Sequence, residues 1–240
     1  MIPLRDNNPR RTVPVVTYTL IGANVLAFFW QLSLGANLER ALFQIAFIPA
    51  RFWLPGNWVF DAFTVVSSMF LHGSLLHIGS NMLYLFIFGD NIEDRLGKPR
   101  YILFYFACGF LATYAHAIFS PGSRIPAIGA SGAIAGVLGA YLILFPHARV
   151  MTLLPIFVFI TIRELPAILI LGLWFVLQLF SGVGSLGVQD AQDMGGVAYF
   201  AHIGGFVAGM VLIVLMGGRR PPRPAVQAED VPWWADQRRR

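Results

Sequence analysis

The chain has 240 residues, of which 57% are hydrophobic and only 12% charged, and its mean hydropathy is +0.66. Soluble globular sequences carry about a quarter charged residues, so this composition excludes an ordinary soluble domain and makes the bilayer the solvent. The formal charge of +5 does not point to nucleic acid, because the basic residues flank apolar stretches and form no patch with interleaved aromatics.

A short arm, 1–12, carries Arg5, Arg10 and Arg11. It is followed by stretches free of formal charge at 12–38, 62–89, 101–123, 125–148, 165–189 and 194–218, which hold 27, 28, 23, 24, 25 and 25 residues. Each exceeds the roughly 20 apolar residues that a helical span needs, so six spans are expected within a membrane domain at 13–217. Six helices with short loops make an all-α membrane bundle with no sizeable soluble domain. The first external loop, about 36–66, is rich in Phe and Trp and is expected to be partly embedded in the outer leaflet or folded against it. A seventh gap, 150–162, has 13 residues and contains Pro155, and is expected to be interfacial. The Gly-rich polar loop at 181–196 suits a mobile cover, and the basic tail at 218–240 reads as disordered or lipid-facing. Cys108 is the single cysteine, so no intramolecular disulfide is available.

If the arm is cytoplasmic, fourteen of the seventeen Lys and Arg residues fall on the cytoplasmic side and only Arg40, Arg51 and Arg124 outside. That skew supports six spans with both termini inside, in a multi-pass protein of a bacterial cytoplasmic membrane.

Polar residues inside apolar spans are expensive unless partnered, so they mark candidate sites. Span two holds His77 and Asn81, four residues apart on one helical face. Span four opens with Gly129-Ala130-Ser131-Gly132, and span six carries His202 before Gly205 and Gly209. Spans two, four and six run in the same direction, which puts their early residues in one leaflet. With span four starting near Ala127 and span six near Val197, Ser131 and His202 lie about 6 to 8 Å along their axes. Gly132 with Gly136, and Gly205 with Gly209, permit the close helix approach that a direct Ser-His hydrogen bond requires. Histidine is the usual base for a serine nucleophile. All twelve acids lie outside the charge-free spans, so a dyad is expected in place of a triad. His77, Asn81 and the Ser131 backbone N–H are the candidate oxyanion donors. No HExxH motif for zinc occurs, and no aspartate pair lies within the spans. Gly89-Asp90 sits at the cytoplasmic boundary with no evident partner.

Through Gly129 to Gly132, Ala201-His202-Ile-Gly-Gly-Phe-Val-Ala-Gly209, His72-Gly-Ser-Leu-Leu-His77-Ile-Gly-Ser-Asn81 and Gly89-Asp-Asn-Ile-Glu93-Asp-Arg-Leu-Gly97, the sequence resembles the bacterial-type rhomboid intramembrane serine proteases. The resemblance implies a six-helix rhomboid fold, a Ser131-His202 dyad, an oxyanion site with His77 and Asn81, and cleavage of membrane-anchored substrates without metal or cofactor. It also supports a lateral gate around Trp174 to Phe180, with Gly129 and Gly132 crowding the substrate position. Partners implied are single-span membrane proteins and the lipid bilayer, with no nucleic acid. The sequence departs from the family pattern in two places. Ala135 stands where some relatives carry an aromatic that stacks on the catalytic histidine, and Arg51-Phe52-Trp53 replaces an adjacent Trp-Arg pair. The competing readings are a rhomboid-like pseudoprotease, which has no use for both Ser131 and His202, and a transporter. A transporter would need a polar path, whereas Leu138, Leu142 and Phe145 follow Ser131 in span four.

Overall fold

The structure is a computed structural model that describes residues 1–56, 58–156, 159–185 and 198–218. The expected cover at 181–196 lies outside these residues from 186 onward, as does the tail from 219.

The first long helix, α1 (Val15–Ser33), is apolar throughout and begins after Pro14. The Glu93 carboxylate, buried in the fold, accepts the backbone N–H groups of Val16 and Thr17 at 3.0 and 2.8 Å and the Thr17 hydroxyl at 2.8 Å. It thereby satisfies donors that a helix start leaves open and sets a negative charge at the positive end of the dipole. The segment between the first two long helices contains α2 (Leu38–Ile45), α3 (Pro49–Phe52) and α4 (Trp58–Ser68). The charge-free stretch 62–89 is therefore divided, and the second long helix, α5 (Leu75–Leu96), starts only where the Ser74 hydroxyl caps it by accepting the His77 N–H. Gly97, at φ +76°, ends α5 and turns the chain into α6 (Lys98–Phe119), which has Pro99 in its first turn. Next come α7 (Ser131–Leu144), α8 (Ala167–Ser185) and α9 (Tyr199–Leu215).

The loop packs on the helical bundle. The Phe47 N–H donates to Ser68 Oγ at 2.6 Å, Phe47 bridges Ala127, and Trp53 Nε1–H donates to the Ala117 carbonyl at 3.1 Å. Arg51 is turned inward on its own loop and donates to the carbonyls of Phe43 and Ala46.

The bundle is not purely helical. The arm forms β1 (Ile2–Asp6), and the segment expected to be interfacial forms β2 (Arg149–Ile156) and β3 (Phe159–Pro166), in an antiparallel sheet of order β1-β2-β3. Val150, Thr152, Ile160, Thr161 and Ile162 favour extended backbone. Pro155, which lacks a donor, pairs only with Ile160, beyond the end of β1, where a missing N–H costs no ladder bond. Asp90 is also partnered, contrary to the sequence expectation: Arg10 reaches it at 3.5 Å and the Asn91 amide donates to it.

The core is centred on α7, whose residues from Gly132 to Tyr141 are all buried, against Tyr101, Phe104 and Cys108 of α6 and Phe206 and Ile213 of α9. By length and composition, α1, α6 and α8 can each cross a membrane. Their outer faces expose apolar side chains such as Leu26, Phe29, Leu103 and Leu177, the surface that a lipid solvent requires.

Candidate active site

Ser131 is the first residue of α7, not four residues into a longer helix as the sequence suggested, because Gly129 breaks the chain at φ +128°. Only glycine adopts that conformation without strain. A Cβ at Gly129 would also meet His77 Nε2 at 2.8 Å, so this residue leaves room for the imidazole beside the serine. Its N–H is anchored to the Ser68 carbonyl at 2.9 Å. His202 lies in the first turn of α9, and its Nε2 is 2.8 Å from Ser131 Oγ.

That contact depends on glycine packing between α7 and α9. A Cβ on Gly205 would fall on the Gly132 carbonyl, and one on Gly209 on the Gly136 carbonyl. The two helices thus meet backbone to backbone along the GxxxG faces expected from the sequence. Gly132 faces Ala112 of α6 and Ala201 of α9, so its smallness serves packing.

His77 Nδ1 accepts the Gly73 N–H at 3.4 Å; a neutral ring with Nδ1 as acceptor carries its proton on Nε2, the nitrogen beside Gly129. The Asn81 amide, by contrast, is already engaged: its Nδ2 is 2.9 Å from His72 Nε2. His72 is in turn held by Gln31, which accepts its backbone N–H at 2.9 Å and donates to its carbonyl at 3.2 Å. Ser131, His202, His77, Asn81 and Trp174 all line one cavity of about 870 Å³. His116 also reaches its wall, whereas Phe180 is 75% exposed and does not line it.

Sequence reasoning found no orienting group for His202, having searched among carboxylates. The structure supplies an amide. Gln178 of α8 places Oε1 2.8 Å from His202 Nδ1, and the Trp174 ring lies 5.8 Å from the imidazole, tilted by 36°. The signal was present in the sequence: Gln178 is the single amide in the apolar run from Ala167 to Phe180. Chemically, the arrangement is a hydroxyl on a base, a base on an acceptor, and an N–H donor across the cavity, which are the parts of an acyl-transfer site.

Fold and site together describe an integral membrane protein built as a helical bundle, with a serine-histidine pair in a cavity among apolar helices. The family model described as Rhomboid domain matches residues 59–219, and the chain belongs to the rhomboid family. It is 29% identical to Rhomboid protein 1, mitochondrial, of Saccharomyces cerevisiae over 82% of this chain and 51% of that protein. It is 30% identical to Rhomboid protease GluP of Bacillus subtilis over 83% of this chain and 35% of that protein. With the Presenilin-associated rhomboid-like protein, mitochondrial, of Bos taurus the identity is 34%, over 62% of this chain and 38% of the relative. The chain spans about half or less of the length of these relatives.

Proposed function

We propose that the chain is an intramembrane serine endopeptidase that cleaves membrane-anchored proteins in the outer part of a transmembrane segment. The observation that carries this reading is the 2.8 Å contact between Ser131 Oγ and His202 Nε2, inside a cavity that also presents a histidine N–H donor. His202 takes the Ser131 proton as Oγ attacks the scissile carbonyl, and the oxyanion that forms faces His77 Nε2–H and the Ser131 N–H, while the Asn81 amide, paired with His72, supports the donor side of the cavity. The imidazolium then protonates the leaving amine. Water, activated by the same base, hydrolyses the acyl-enzyme. The name of the Bacillus subtilis relative, a rhomboid protease, supports the class of reaction.

The proposed topology has six spans, with both termini in the cytoplasm of a bacterial cell, and rests on the fourteen-to-three distribution of basic residues. A 14-residue helix is about 21 Å long. α7 therefore fills only part of a hydrocarbon core about 30 Å thick, which suits a nucleophile set below the outer surface.

The test is reconstitution of the wild type and Ser131→Ala with a panel of single-span proteins, together with labelling by a serine-reactive fluorophosphonate. Cleavage and labelling by the wild type alone are expected. Substrate binding without cleavage by the wild type would make the protein a pseudoprotease, and labelling that persisted in Ser131→Ala would remove Ser131 from the mechanism.

A further inference from the structure

An imidazole that accepts the Ser131 proton must hold its own proton on Nδ1, and that N–H must find an acceptor; among the described residues no carboxylate lines the cavity. Gln178 Oε1 stands 2.8 Å from Nδ1. We infer that Gln178 is the positioning residue of this site, fixing the tautomer and aim of His202 and thereby making the dyad competent only while α8 is seated against α9. The inference rests on the proposed protease reading.

Three observations converge on it. First, Gln178 is partly buried at the inner side of α8, while its neighbours Leu177 and Leu179 are exposed, so the one amide of this apolar run faces the bundle. An amide there would be costly without a partner. Second, Ala135, which α7 presents to the same cavity, offers no stacking surface to the imidazole. The supports of His202 come from α8 instead, through Gln178 and the Trp174 ring. Third, α8 is held to α9 by contacts clustered near these same residues: Trp174 and Phe175 pack on Phe206, with ring centroids at 5.9 and 4.5 Å, and Gly182 lies under Ile203 and Tyr199. A displacement of α8 away from α9 withdraws the acceptor and the ring together. Nδ1 then loses its partner, and the tautomer with the proton on Nε2, which cannot act as base toward Ser131, gains in population.

A glutamine differs from a carboxylate in one respect that makes the role testable. Its amide can present either an oxygen or an NH₂ to the ring, and only the oxygen supports the active tautomer. A glutamate at 178 can only accept when ionised, and its charge also favours the imidazolium. Among the described residues, the titratable groups that act on His202 are His77 on α5 and His116 on α6, and α7 presents Ser131.

The experiment uses the full chain in liposomes with a quenched-fluorescent single-span peptide, following kcat, KM and the rate of fluorophosphonate labelling from pH 5.5 to 9. Gln178→Leu should lower kcat and the labelling rate by about ten- to a hundredfold, the scale seen when the outer hydrogen-bond partner of a metal-bound histidine is removed, with KM nearly unchanged. Gln178→Glu should recover most of that loss and move the acid limb of kcat to higher pH. Wild-type kcat in Gln178→Leu would overturn the inference, as would a Gln178→Glu variant no better than Leu with an unmoved acid limb. A wild type that neither cleaves nor labels, beside an equally silent Ser131→Ala, would instead overturn the protease reading itself.

Discussion

At the scale of single residues, the two proposed oxyanion side chains are not equivalent. His77 Nε2 lies beside Gly129 in the cavity, whereas the Asn81 amide is paired with His72. His77→Ala should therefore lower kcat by about 10²- to 10³-fold, the range for loss of one oxyanion donor, with a smaller change in KM. Asn81→Ala should cost less, and its effect should be largely reproduced by His72→Ala, because both break the same pair. Equal losses in His77→Ala and Asn81→Ala, with His72→Ala unaffected, would instead make Asn81 an independent donor. Ser131, His202 and His77 were legible in the sequence because polar groups stand out against an apolar background and because glycines mark close approach. Gln178 was not, since the search for an orienting group was confined to carboxylates. The commitment of Asn81 to His72 was invisible too, as it depends on Gln31, distant in sequence, pinning the His72 backbone.

At the scale of elements, the glycine interface between α7 and α9 sets the distance between Ser131 and His202. A side chain at Gly205 meets backbone, the Gly132 carbonyl, which cannot swing aside as a rotamer would. Gly205→Val should cost at least the roughly 1–3 kcal/mol typical of overpacking and abolish labelling of Ser131, whereas Gly184→Val, at a position open within 4 Å, should leave both near wild type. Thermal unfolding and fluorophosphonate labelling measure the two effects.

The sheet was not legible from composition, because an arm with three arginines and a short apolar segment with a proline each look like loop, and only their pairing makes them strands. Its inner corner carries a titratable group. Asp6 accepts the Tyr141 hydroxyl at the end of α7, and burial, with the nearby Asp90, raises its pKa from the ordinary 3.8 to about 6 despite that hydrogen bond. An acid with a raised folded pKa binds its proton more tightly in the native state. The fold is thus penalised as pH rises from about 4 through about 6, and β1 should dock more firmly at pH 5 than at pH 7. Hydrogen-exchange protection of Ile2 to Asp6, corrected for intrinsic exchange, should fall as pH rises from about 5 to about 7, and Asp6→Asn should hold it nearly constant. Constant protection in the wild type would mean that Asp6 does not govern the docking.

At the scale of the whole molecule, a substrate helix in lipid has to reach a serine set inside a bundle. A peptide bond in an α-helix has its carbonyl already bonded and its flanks shielded by side chains, so it cannot present itself to Ser131 intact. Unwinding it in hydrocarbon exposes backbone groups at several kcal/mol each. The cavity of about 870 Å³ offers an alternative solvent for that step, since Ser74, His77, Ser80, Asn81 and Ser120 line it beside the Ser131-His202 pair. The expense then falls on the part of the substrate that leaves lipid and enters the cavity. Substrates with Gly or Pro in the outer third of their span should be cut at least several-fold faster than matched substrates with Leu there, because Gly gives up about 1 kcal/mol and Pro about 3 kcal/mol of helix propensity. Small residues before the scissile bond should also be favoured, since Gly129 and His77 close over the serine. The comparison requires equal expression and equal binding of the paired substrates, with cleavage rate as the readout. Equal rates across such pairs would show that unwinding is not the step that selects substrates, even with Ser131 as nucleophile.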